Sequence, residues 1–148
     1  MRLKAGLVGV LAAALTAAGC GTSTLSAAQL RSDATKTCDL ARQRTERIAT
    51  PSTPGGGISF LSRGIAALAP QQSTLQALHP PSDLAGNYRS ALDASQKQLT
   101  ALRSALTDLK AGSDPVTAVK SLQRKLSPLE AKGDAAWHSL GIPACADR

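Results

Sequence analysis

The chain has 148 residues, 43% of them apolar, only three aromatic side chains and a formal net charge of +7. That length supports one domain with a single core, and the core must be built from aliphatic residues. The same scarcity of aromatics excludes the stacking surfaces on which nucleic-acid binders interleave basic and ring side chains, so no nucleic-acid partner is expected.

Arg2 and Lys4 open the chain, and Ala5 to Ala18 carries no charge. Such a run is too short to cross about 30 Å of hydrocarbon, which takes roughly 20 residues. Small residues (Ala17, Ala18, Gly19) then stand directly before Cys20, the order in which an export signal ends. This ending resembles the bacterial lipobox, in which a small or aliphatic triplet precedes a cysteine that receives diacylglycerol. Cys20 matches the modified cysteine, and Ala17 stands where leucine is usual. The resemblance implies a signal peptide over residues 1–19, lipidation at Cys20, and a place on the outer face of the bacterial cell membrane. A plain cleaved signal, cut after Ala18 or nearby, is the rival reading. Two acyl chains, at about 0.8 kcal/mol per buried CH₂, would hold the chain firmly to a bilayer. Residues 20–28 are mostly small and carry no charged side chain, which suits a tether, and residues 29–148 form the expected domain.

Alanine, leucine, lysine, arginine and glutamine dominate that domain, and no β-branched residues alternate over a strand length, so an all-α fold is expected. A first helix (about 27–49) starts from Ser26, three residues before Gln29, the spacing of a capping box. Ser32-Asp33 is an alternative start. Its apolar line is weak: Leu30, Ala34, Cys38, Ala41, Thr45, Ile48. Pro51, Pro54 and Gly55-Gly56-Gly57 end it in a turn. No Lys-Ser or Lys-Thr pair follows the glycines, so they do not read as a phosphate cradle.

The second helix (58–79) carries Ile58, Leu61, Ile65, Leu68, Gln72, Leu75 and His79 on one face. The register passes through Pro70, which predicts a kink, with a break into two helices as the alternative. Pro80-Pro81 stops it after His79. A third helix (83–111) is expected to be capped by Ser82. Its stripe runs Leu84, Tyr88, Leu92, Ser95, Leu99, Leu102, Leu106, Leu109, with Arg89, Asp93, Thr100, Arg103 and Lys110 opposite. Gly112 closes it. Ser113-Asp114-Pro115 starts a fourth helix (115–140), whose line is Val116, Val119, Leu122, Leu126, Leu129, Gly133, Trp137, Leu140. Pro128 should kink it, and Gly141 and Pro143 end it. Four helices on short connections predict an antiparallel up-down four-helix bundle.

With Cys20 taken by lipid, Cys38 and Cys145 remain. In an exported chain two such cysteines pair, and helix four returns toward the start of helix one, which brings the two together. Independent free thiols are the competing reading. A redox pair is disfavoured by the absence of a Cys-x-x-Cys motif.

Catalytic groups are sparse. There are two histidines, His79 and His138, and two glutamates, Glu46 and Glu130, with none at metal-ligand spacing. No Gly-x-Ser-x-Gly elbow occurs. No enzyme activity, cofactor or metal is expected. Tyr88 and Trp137 lie on apolar stripes, where they either line a pocket between helices or fill the core.

Cys38, Pro80-Pro81 and the Leu140-Gly141-Ile142-Pro143-Ala144-Cys145 ending together resemble small, functionally uncharacterised lipoproteins of actinobacterial type. That resemblance implies a helical bundle, an early helical cysteine paired with a C-terminal one, and an envelope location. Two functions remain open at this point. One is a lipid-anchored interaction or scaffold module that meets an envelope protein. The other is a carrier of a small apolar or amphipathic ligand between helices.

Overall fold

A computed structural model describes residues 23–146, so the expected signal peptide and Cys20 lie outside the described residues. Within that range the chain is all-helical, with helices α1 (Ala27–Glu46), α2 (Gly57–Gln76), α3 (Ala85–Lys110) and α4 (Pro115–Ser139). Two 3₁₀ turns, Pro54–Gly56 and Pro143–Cys145, complete it. Successive helices pack antiparallel: Gln72 of α2 meets Leu92 of α3, and Lys132 of α4 meets Asp93 of α3.

Helix α1 starts where its sequence offers a cap. The Ser26 hydroxyl accepts from the Gln29 amide at 3.2 Å, and the Gln29 side chain accepts from the Ser26 amide at 3.0 Å. Both orphan donors are thereby satisfied. Leu25 already packs on the core and donates its amide to the His79 carbonyl at 2.9 Å. Residues 25–28, expected within the tether, are therefore packed on the core or lie in the cap and first turn of α1.

Helix α4 uses the other cap read from sequence. The Asp114 carboxylate accepts from the Thr117 amide at 2.8 Å, with Pro115 in the first turn. That backbone hydrogen bond holds the Asp114 carboxyl below its ordinary pKa near 3.8. A depressed folded pKa means that the cap's contribution is present above the ordinary value and lost as the pH falls through the lowered one. Thermal unfolding between pH 2 and 5 tests this. The native chain should lose melting temperature with acid more steeply than Asp114→Asn, which keeps an acceptor but carries no charge. Parallel curves would remove Asp114 from the account.

Two helix ends share one device. Gly112 (φ 91°) and Gly141 (φ 70°) take the left-handed conformation just past α3 and α4. Ser113 then donates to Asp108, and Ile142 to Trp137, at 3.0 Å each. These are Schellman closures, which favour glycine because a Cβ is strained at positive φ.

Three expectations need correction. Ser82 does not cap α3. The Leu84 amide donates to the Pro81 carbonyl in a turn, and the helix begins at Ala85 with no side-chain cap. Pro81 opens that turn, which takes in Ser82 and leaves it short of the helix start. Val116 and Val119, expected on the buried face of α4, are 55% and 47% exposed, because α4 packs along α3 and has no extended packing against α1. Finally, the inner line of α3 is made of Ala91, Ala94, Gln98 and Ala105 as well as Tyr88, Leu99 and Leu109. Both proline-containing helices are continuous: α2 runs through Pro70 and α4 through Pro128.

No helix among the described residues is long and apolar enough to cross a membrane.

Candidate functional site

The residues singled out from sequence gather in the half of the bundle where α1 starts and α4 stops. Cys38 and Cys145 stand at disulfide geometry there, with Cα atoms 5.1 Å apart and both residues buried. Ile142 and Leu140 are fully buried beside them. Arg31 of α1 donates to the Leu140 carbonyl at 2.8 Å, placing a cation on the C-terminal end of the α4 dipole. Gln71 of α2 donates to the Cys38 sulfur at 3.1 Å. The tail therefore docks on α1 through a covalent bond, a charged hydrogen bond and two buried aliphatic side chains.

Tyr88 and Trp137 belong to this same core, packed with Leu30, Ala34, Leu75 and Ala91. Their rings meet edge to face, with centroids 5.8 Å apart and planes at 83°. Such pairs are worth about 0.5–1.5 kcal/mol beyond the area they bury. The Tyr88 hydroxyl donates to the Leu75 carbonyl at 2.6 Å, and burial pushes the phenol well above its usual pKa. The Trp137 indole nitrogen is buried with no hydrogen-bond partner among the described residues. Both rings thus serve as core fillers, the plainer of the two expectations for them.

Below this closed end the interior loosens. Gly133 lets α4 approach α3 closely, since a Cβ there would lie 3.4 Å from that of Ala94. From one turn before Gly133 in α4, the packing opens into a cleft of about 210 Å³ between α2, α3 and α4, with Leu68, Leu99, Leu102 and Leu126 in its walls. A second cleft of about 240 Å³ lies between α1, α2 and the C-terminal turn, bordered by Ala41, Thr45 and Ala144. Leu68 and Gln71 line both clefts, so the two adjoin across one face of α2. Each is smaller than the roughly 300 Å³ at which pockets for drug-sized ligands begin. Gln72, which sequence placed on the apolar face of α2, is buried beneath and donates to the Leu92 carbonyl at 3.2 Å.

His79 and His138 are both exposed, at the α2–α3 link and the last turn of α4. Among the described residues no three His, Cys, Asp or Glu side chains come close enough to hold a metal ion. The charged pairs lie at the surface. Asp93 of α3 receives Lys97 at 2.9 Å and Lys132 of α4 at 3.9 Å, and the Lys97 hydrogen bond lowers its pKa.

Sequence reasoning missed the clefts. The walls of each come from three elements, which no single helical pattern shows. Comparison with protein families, with characterised proteins and with solved structures finds no match to this chain.

Proposed function

We propose that this chain is a non-catalytic, lipid-anchored interaction module on the outer face of the bacterial cell membrane. The export-signal pattern ending at Cys20 supports the location, as does a cysteine pair of the kind that persists in oxidising compartments. The observation that carries the interaction reading is the contrast between the two ends of the bundle. The end bearing the termini is closed around Trp137, Tyr88 and the cysteine pair. The opposite end, where the α1–α2 and α3–α4 connections lie, leaves Ile58, Phe60, Val116 and Val119 more than a third exposed. A tether entering at Leu25 would hold the closed end toward the membrane and present the other end outward.

The carrier reading loses support from the core, because Tyr88 and Trp137 are packed against each other and each cleft is small.

Intact mass of the chain from detergent-extracted membranes of its host tests the proposal. A product starting at Cys20 with added acyl mass is expected. An unlipidated product cut elsewhere would overturn the anchor. Native mass spectrometry of the same sample addresses the rest: a stoichiometric small apolar ligand on the folded chain would replace the interaction module with the carrier.

A further inference from the structure

The outward end differs from the membrane-proximal end in charge as much as in packing. Residues 40–65 and 100–125, which make up the open half of the bundle, hold nine Lys and Arg against three Asp and Glu, a net charge of +6. The remaining described residues hold five against six, a net charge of −1. The basic excess of the domain therefore sits wholly on the open half. It is also uncompensated. Arg42 pairs with Asp39 and Glu46, but Arg47, Arg63, Arg103, Lys120 and Arg124 are exposed and enter no ion pair among the described residues. Of the three acids, Asp114 is committed to the α4 cap.

Exposed apolar side chains stand among these cations. Ile58 and Phe60 precede Arg63 on the first turns of α2, and Val116 and Val119 precede Lys120 and Arg124 on the first turns of α4. The 3₁₀ turn Pro54–Gly56 packs on α4 and brings the two helix starts together. A second copy of this end is an unsuitable occupant, because it would bring +6 against +6. A hydrophilic polyanion would use the cations and leave the apolar side chains without purpose. Basic residues interleaved with apolar ones on an exposed surface match a bilayer interface, where cations meet anionic headgroups and short apolar side chains enter the acyl boundary.

We infer that the open end of the bundle is a docking surface for an anionic lipid bilayer. This rests on the proposed function only for which way the end faces: in an anchored chain the docked bilayer is one that faces the open end, not the one that holds Cys20, and the binding itself does not need the anchor.

The test immobilises the full chain on beads through a C-terminal tag. Cys145 is held at Cys38, near the middle of α1 and away from the starts of α2 and α4, so a tag on a long flexible linker leaves the open end free. Fluorescent vesicles of phosphatidylcholine, alone or with phosphatidylglycerol, are then captured. Anionic vesicles should be held at least about tenfold better than neutral ones, and the difference should shrink as salt rises and screens the surface. The leader is common to all samples, so paired variants isolate the surface. Lys120→Glu with Arg124→Glu should abolish the preference. Lys36→Glu with Arg89→Glu, an equal change of charge on the closed half, should leave it largely intact. Ile58→Ser with Phe60→Ser should lower vesicle capture several-fold and leave binding of sodium polyphosphate unchanged. Equal capture of neutral and anionic vesicles, or equal loss in the two charge pairs, would overturn the inference. Full vesicle capture by the serine variant would overturn it too, in favour of a soluble polyanion. Loss of the anchor in the mass measurement leaves all these outcomes readable.

Discussion

Replacing Cys38 and Cys145 together by serine is expected to lower the unfolding free energy by about 4–5 kcal/mol. The bond closes a segment of 107 residues, for which the chain-entropy model gives roughly 4.7 kcal/mol. Domains of this size are stable by only about 5–15 kcal/mol, so the loss takes a large share of the whole. The effect should also be uneven. Pro143–Cys145 packs on α1 and on the end of α4, and with the bond gone it retains Arg31 and Ile142 as its main ties. Hydrogen exchange in the last turn of α4 should therefore rise before that in α3. Urea unfolding of the native and doubly substituted chains measures the magnitude. An unchanged midpoint would mean that the two sulfurs are not joined in solution.

The second large effect is expected at Trp137. It is 1% exposed, meets Tyr88 edge to face, and belongs to the core that also holds Leu140 and the cysteine pair. Trp137→Ala should cost about 3–5 kcal/mol, the range for deleting a large aromatic side chain from a packed core. Trp137→Phe should cost much less. It keeps most of the edge contact with Tyr88 and removes a buried N–H that has no partner among the described residues, so no hydrogen bond is lost to offset the gain. The order of the two variants, followed by circular dichroism during thermal unfolding, is the sharp part of this expectation. Equal losses would mean that the indole N–H finds a partner in solution.

The helices and their stops were legible because they depend on local chemistry. Ser26 with Gln29, Asp114 with Pro115, and Gly112 and Gly141 each act within a few residues, and each works as its sequence implies. The cysteine pairing was legible from topology, since a fourth antiparallel helix must end beside the first. What could not be read is which neighbour each apolar stripe meets. The stripe of α4 gives a direction, but only the packed chain shows that α4 leans on α3 and leaves Val116 and Val119 in water. The alanines of α3 hid for a related reason. A small side chain marks a core position only when a close partner such as Gly133 stands opposite. Ser82 failed because the turn imposed by Pro80-Pro81 outweighed an available hydroxyl.

The position of the cysteine bond also sets how the domain would carry load. A pull applied through the residues before Leu25 first meets the Leu25–His79 hydrogen bond and then the opening turns of α1. At Cys38 it meets a covalent link to Cys145, and everything between those two positions becomes a closed ring. Only the 13 residues from Leu25 to Thr37 can then be drawn out, about 45 Å of extended chain. With the bond intact and the C-terminus as the other point of load, α2, α3 and most of α4 lie off the line of force, and so does the basic apolar end. A domain tugged between its termini would lengthen by one short step and keep its open end assembled.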